Sequence, residues 1–153
     1  MKSIAIYILA IIFLTATLLG LSYQVKLPSG VKEMQVYSAV TPQIDKCEQV
    51  DNMTNFNIYH YYQNFVSIRD NKLDNTLGVA YIYPKDSVSE KTLIDRLSID
   101  VSFTQDLEDG VTYYGKSRAG GRSVYIDGKE INVQIVKNKN YIIIGFPLIM
   151  GSY

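Results

Sequence analysis

The chain has 153 residues, with 15 Lys and Arg against 15 Asp and Glu, a balance that excludes the strong basic field of a nucleic-acid or polyanion binder. A single cysteine, Cys47, excludes an internal disulfide, so a hydrophobic core has to hold the fold and the thiol reads as a small apolar filler. Thirteen Tyr and no Trp, together with many Ile and Val, suit pleated, half-buried surfaces and predict a strand-rich domain.

The first element is a hydrophobic leader. From Ile4 to Leu21 there is no charge, and Lys2 is the sole basic residue ahead of the run. A spanning helix takes about 20 apolar residues, whereas a cleavable signal has an apolar region of roughly 7–15 followed by small residues at alternate positions. Both templates fit, because apolar character persists to Leu21 while Gly20-Leu21-Ser22 offers a cleavage site before Tyr23. Residues 1–22 are therefore a signal peptide or a membrane anchor, and residues 4–21 are the membrane-contacting part if uncleaved. In either case the chain after Tyr23 is expected at the outer face of the cytoplasmic membrane, amino terminus inside, or secreted. Residues 23–30 end in Leu27-Pro28-Ser29-Gly30 and read as a linker. Residues 31–153 then form one extracytoplasmic domain, long enough to bury a core, and residues 23–153 together carry 14 basic against 15 acidic residues.

Within that domain, Val31, Met34, Val36 and Val40 alternate partially and predict a strand, and the polar stretch Asp45 to Thr54 reads as a loop. Residues 55–68 fit two patterns. Ile58, Tyr61, Tyr62, Phe65 and Ile68 lie at helical spacing, while Phe56, Ile58, Tyr62, Val66 and Ile68 alternate; the helical set is the more complete, so a helix is favoured. Thr76 to Tyr83 predicts a strand ended by Pro84. Ser87 and Glu90 form a capping-box pattern ahead of a helix over 88–97, whose Leu93, Ile94 and Leu97 would face a sheet. From Ser98 onward, strand patterns alternate with turn signals, the strongest being Asp127-Gly128, since both central positions of a type I′ turn need positive φ. Ile142, Ile143 and Ile144 in succession predict a last strand covered on both faces, by the helices. The fold class is α+β: an amino-terminal hydrophobic helix, then an antiparallel sheet with one or two helices on one face.

Chemistry-bearing residues are few. His60 is the only histidine, so no two-histidine metal site or multi-histidine relay can be built, and it reads as an ordinary tyrosine-flanked histidine. Asp106, Glu108 and Asp109 have hard oxygen ligands but lack the spacing of a calcium loop, and read as a solvated turn. In "GKSRAGGRS", Lys116, Arg118 and Arg122 flank Gly120 and Gly121, whose amides could cradle an anion such as a wall phosphate or carboxylate; the plain alternative is a flexible loop with solvated charges. The context is not that of a nucleotide loop. No catalytic set, metal or cofactor site follows from the residues.

The Tyr-x-x-Ser element at Tyr114 and Ser117, "INVQI" at 131–135 and the Gly-x-Pro-Leu-Ile ending at 145–149 resemble the carboxy-terminal part of YwmB-type proteins, an exported family of spore-forming Gram-positive bacteria. The resemblance covers about a third of the chain. It implies a fold similar to the TATA-box-binding protein and an envelope-facing, non-enzymatic protein, without supplying catalytic residues. Nucleic acid is not an expected partner, since fold likeness does not carry function. Three classes remain: a binding or interaction module contacting an envelope protein or wall polymer, which leads; an exported enzyme acting on a wall polymer; and a pilin-like structural subunit.

Overall fold

The computed structural model describes residues 26–151, so the predicted leader helix over 1–22 and the cleavage site before Tyr23 lie outside the described residues. Among the described residues no helix is long and apolar enough to cross a membrane. Over the described residues the fold is α+β, as expected, with a large antiparallel sheet and one α-helix.

Strands β1 (Glu33–Ser38), β2 (Gln49–Asn52), β3 (Asn57–Tyr61) and β4 (Gly78–Pro84) build one half of the sheet. Helix α1 (Glu90–Arg96) follows. The other half comes from β5 (Asp100–Leu107), β6 (Gly110–Lys116), β9 (Val133–Asn138) and β10 (Tyr141–Phe146), with a separate hairpin of β7 (Val124–Ile126) and β8 (Lys129–Ile131) inserted between β6 and β9. The eight strands lie in the order β2-β3-β1-β4-β10-β9-β6-β5, every pair antiparallel. The two halves meet along β4 and β10, the sheet's centre.

Side-chain alternation sorts the sheet into two faces. Met34, Val36, Tyr59, Tyr61, Tyr81, Tyr83, Ile135, Ile142 and Ile144 form the larger core, closed by Leu93 and Leu97 of α1 and by Ile44 and Leu73 from the connections. Tyr37, Ile58, Ala80, Ile82, Val136 and Ile143 form a smaller cluster on the opposite face. Leu93 and Leu97 are buried and Ile94 packs against the same core, so the helix presents the predicted residues to the sheet.

Four expectations are corrected. Residues 55–68 are not a helix: 57–61 form β3, and the rest crosses the first face as irregular chain. Ile58, Tyr59, His60 and Tyr61 are all buried, because β3 is covered on both faces, and a strand so covered loses the alternation that identifies it. The polar stretch 45–54 contains β2, a short edge strand whose polar side chains suit an outer position. Helix α1 is capped by Ser89, whose hydroxyl accepts from the Thr92 amide at 3.0 Å, whereas the Ser87 hydroxyl donates to the Pro84 carbonyl. Glu90 reaches across to Lys137 of β9 at 2.7 Å instead of closing a capping box with Ser87. Ile143 is covered on the second face by the chain's own carboxy-terminal segment and not by a helix. Ile149 packs on that cluster, its amide donates to Gln134 Oε1 at 2.9 Å, and a Cβ at Gly145 would stand 2.6 Å from its side chain.

The Asp127-Gly128 turn is as predicted. Both residues have positive φ, 49° and 75°, in the two-residue connection of β7 to β8.

Candidate functional site

The loop between β6 and β7 carries the basic candidates, and Ser117 organises it. The Ser117 amide donates to Asn132 Oδ1 at 2.8 Å, and Asn132 Nδ2 donates back to the Ser117 carbonyl at 2.9 Å. The Ser117 hydroxyl donates to the Leu97 carbonyl at the end of α1 and accepts from the Ala119 amide. All of these groups are buried, so the bonds satisfy polar atoms that would otherwise be costly there. The loop is thereby fastened to both α1 and the start of β9. The contacts of Ser117, Asn132, Gln134, Gly145 and Ile149 hold the loop and the carboxy-terminal segment in place.

The five anion-binding candidates separate. Lys116 pairs with Glu130 of β8, and its ammonium is the leading cause that holds the Glu130 carboxyl below its ordinary range. Gly120 is a packing position: its amide donates to the Ser117 carbonyl, and a Cβ there would stand 2.5 Å from the Asn132 side chain. Arg118 is exposed, and its carbonyl accepts from the Arg69 guanidinium, which ties the loop to the segment after β3. Only Gly121 and Arg122 reach a cavity, of about 210 Å³, formed with the segment from Ile68 to Val79. Leu73, Val79 and Phe146 supply apolar lining, and Asp70, Asp74 and Thr76 supply polar lining. Asp70 also caps a 3₁₀ turn at Asn71–Leu73, accepting from the Lys72 amide at 3.0 Å. Arg122 therefore shares its cavity with two carboxylates.

His60 is the residue whose surroundings the sequence did not reveal. It is buried in β3, with Nδ1 2.6 Å from Glu33 Oε1 on β1 and Nε2 3.0 Å from Asp51 Oδ2 on β2. Both ring nitrogens donate at once only in the imidazolium form. The chain of bonds continues outward: Gln35 Nε2 donates to Glu33 Oε1, the Tyr37 hydroxyl donates to Gln35 Oε1, and Gln49 Nε2 donates to Asp51 Oδ1. The Gln49 bond is the largest of the causes that shift the Asp51 carboxyl, and with the His60 bond it holds the group below its ordinary range against desolvation. Register makes the site, since Gln35 and Gln49 both stand opposite His60. Both ring nitrogens of His60 are thus engaged by carboxylates of the two neighbouring strands.

Asp109 pairs with Lys139 at 2.9 Å in the exposed turns at one end of the sheet, and Asp106 lies exposed on β5. Among the described residues no group of three or more His, Cys, Asp or Glu is arranged to hold a metal ion. Cys47 is free and half-buried, its thiol donating to the Gln49 carbonyl. Comparison with protein-family models, with curated proteins and with solved structures finds no match to the chain.

Proposed function

We propose that the protein is a binding module of the bacterial envelope, anchored at the outer face of the cytoplasmic membrane by residues 4–21 and working by contact with an envelope protein or wall polymer. The observation that carries this reading is the cavity that Arg122 and Gly121 line together with Asp70 and Asp74 and an apolar set. With both signs on its walls, it matches a partner group carrying a carboxylate or phosphate beside an amine better than a bare anion. Support also comes from His60, the single histidine, whose ring nitrogens both engage carboxylates, an arrangement suited to structure and not to hydrolysis. The kinship with YwmB-type proteins and a topology like the TATA-box-binding protein belong to the same proposal, supported by the residues quoted above and by a helix packed on one face of an antiparallel sheet.

A photo-crosslinking side chain placed at Gly121 in the full chain, expressed in the native cell, tests it. Adducts formed from position 121 and lost on Arg122→Ala are expected. The same adducts from exposed Met53, or none from 121, would sink the reading. Intact mass separates the anchored protein from a released one beginning near Tyr23.

A further inference from the structure

A second cavity, about 460 Å³, lies between the first described residues and the segment after β3. Tyr81 of β4 lines it, and two buried tyrosines of that strand fasten its walls. The Tyr81 hydroxyl donates to the Val66 carbonyl at 2.9 Å, and the Tyr83 hydroxyl donates to the Pro28 carbonyl at 3.2 Å, so each wall is tied down to the sheet. Leu27, Val31 and Phe65 line it together with the exposed Lys26, and no acidic side chain is among its lining residues. Phe65 is 37 % exposed, a large aromatic facing solvent beside an apolar groove. An opening so composed calls for an occupant.

We infer that this groove and Phe65 face the lipid bilayer and seat the domain on the outer leaflet. The inference rests on the anchored form of the proposed function. The apolar run ends at Leu21, and only residues 22–25 separate it from Lys26. Four extended residues span at most about 14 Å. The headgroup layer takes about 5–7 Å of that, the difference between the full bilayer and its hydrocarbon core on one side. A spanning leader thus brings the surface around Lys26 to the headgroups, and the groove is part of that surface. The side chains suit the place: an aromatic ring and aliphatic groups enter the boundary with the acyl chains, and a lysine extends its ammonium to lipid phosphates. The cavity beside Arg122, with two carboxylates, has the wrong charge for an anionic leaflet.

The test uses the full chain reconstituted in vesicles of phosphatidylglycerol and phosphatidylethanolamine. In a Cys47→Ser background, Ser67→Cys puts an environment-sensitive fluorophore at the groove's rim with Phe65 left in place. Met53→Cys puts it in the β2–β3 turn, at the other end of β1, on another exposed apolar position. The expected result is a blue shift and severalfold stronger quenching by brominated lipid at position 67 than at 53, reduced by Phe65→Ser. If the chain floats with the vesicles but both labels stay in water, the anchor stands and the inference falls. A label at 67 shielded from water yet untouched by brominated lipid would mean that protein covers the groove, which also overturns it. If the chain does not float, the anchor and the inference fail together.

Discussion

His60 shows how much a single residue can depend on its neighbours across a sheet. Its ring sits between Glu33 and Asp51, and the Glu33 side chain is only 16 % exposed, so removing the ring leaves a mostly buried carboxylate without its partner. His60→Ala is expected to cost about 2–4 kcal/mol in urea unfolding, the range for stranding a buried charged partner. The Asp51 carboxyl, held down first by the Gln49 amide and then by His60, gives a pH signature. Its folded value is below the ordinary 3.8, so the stabilisation it adds is present above 3.8 and is lost as the pH falls through the lowered value. Asp51→Asn should flatten that part of the stability profile, and an unchanged slope would show that the Asp51 carboxyl, with its bonds to Gln49 and His60, carries no linkage.

The helix start and the central turn set the predictions at the scale of elements. Ser89→Ala should destabilise the protein by about 1 kcal/mol through loss of the helix cap. Ser87→Ala, which removes only a hydroxyl bonded to the Pro84 carbonyl, should leave the helix content unchanged by circular dichroism. Equal effects of the two would restore the capping box drawn from the sequence. In the β7–β8 turn, Gly128→Ala places a side chain at φ 75°, and about 1–2 kcal/mol is expected from the left-handed backbone alone, read from the shift in unfolding midpoint. The Asp-Gly pair could be read in advance because its φ requirement is local. Strand β3 could not, since burial of successive residues on both faces erases the period of two and leaves a helical spacing by accident.

At the scale of the molecule, the two faces of the sheet are closed by different means. Helix α1 and the irregular crossing 62–76 cover one; the segment Pro147–Gly151 lies against the other, where Ile149 reaches Gly145 and Gln134. Gly145→Ala puts a methyl group within 2.6 Å of the Ile149 side chain and 2.9 Å of its amide nitrogen, so the segment has to shift. A loss of about 1–3 kcal/mol is expected, as for other overpacked positions, with faster hydrogen exchange at the Ile149 amide. Retained protection there would show that the segment is not anchored through Gly145. The same scale governs both cavities, each of which joins segments distant in sequence.

The amino-acid sequence by itself determined the strand-rich α+β class, a strand read at 76–83 and found at 78–84, the isoleucine-rich last strand found at 141–146, the helix face of Leu93, Ile94 and Leu97, and the Asp127-Gly128 turn. Each depends on local backbone preference or on a period within one segment. The candidate site was legible only as a basic, glycine-containing loop. Tertiary structure alone decided that Lys116 and Gly120 turn to Glu130, Ser117 and Asn132, that Arg122 meets Asp70 and Asp74, and that Glu33 and Asp51 enclose His60. Those outcomes depend on which strands are neighbours and in what register, and strand pairing is a relation between distant segments that no local pattern contains.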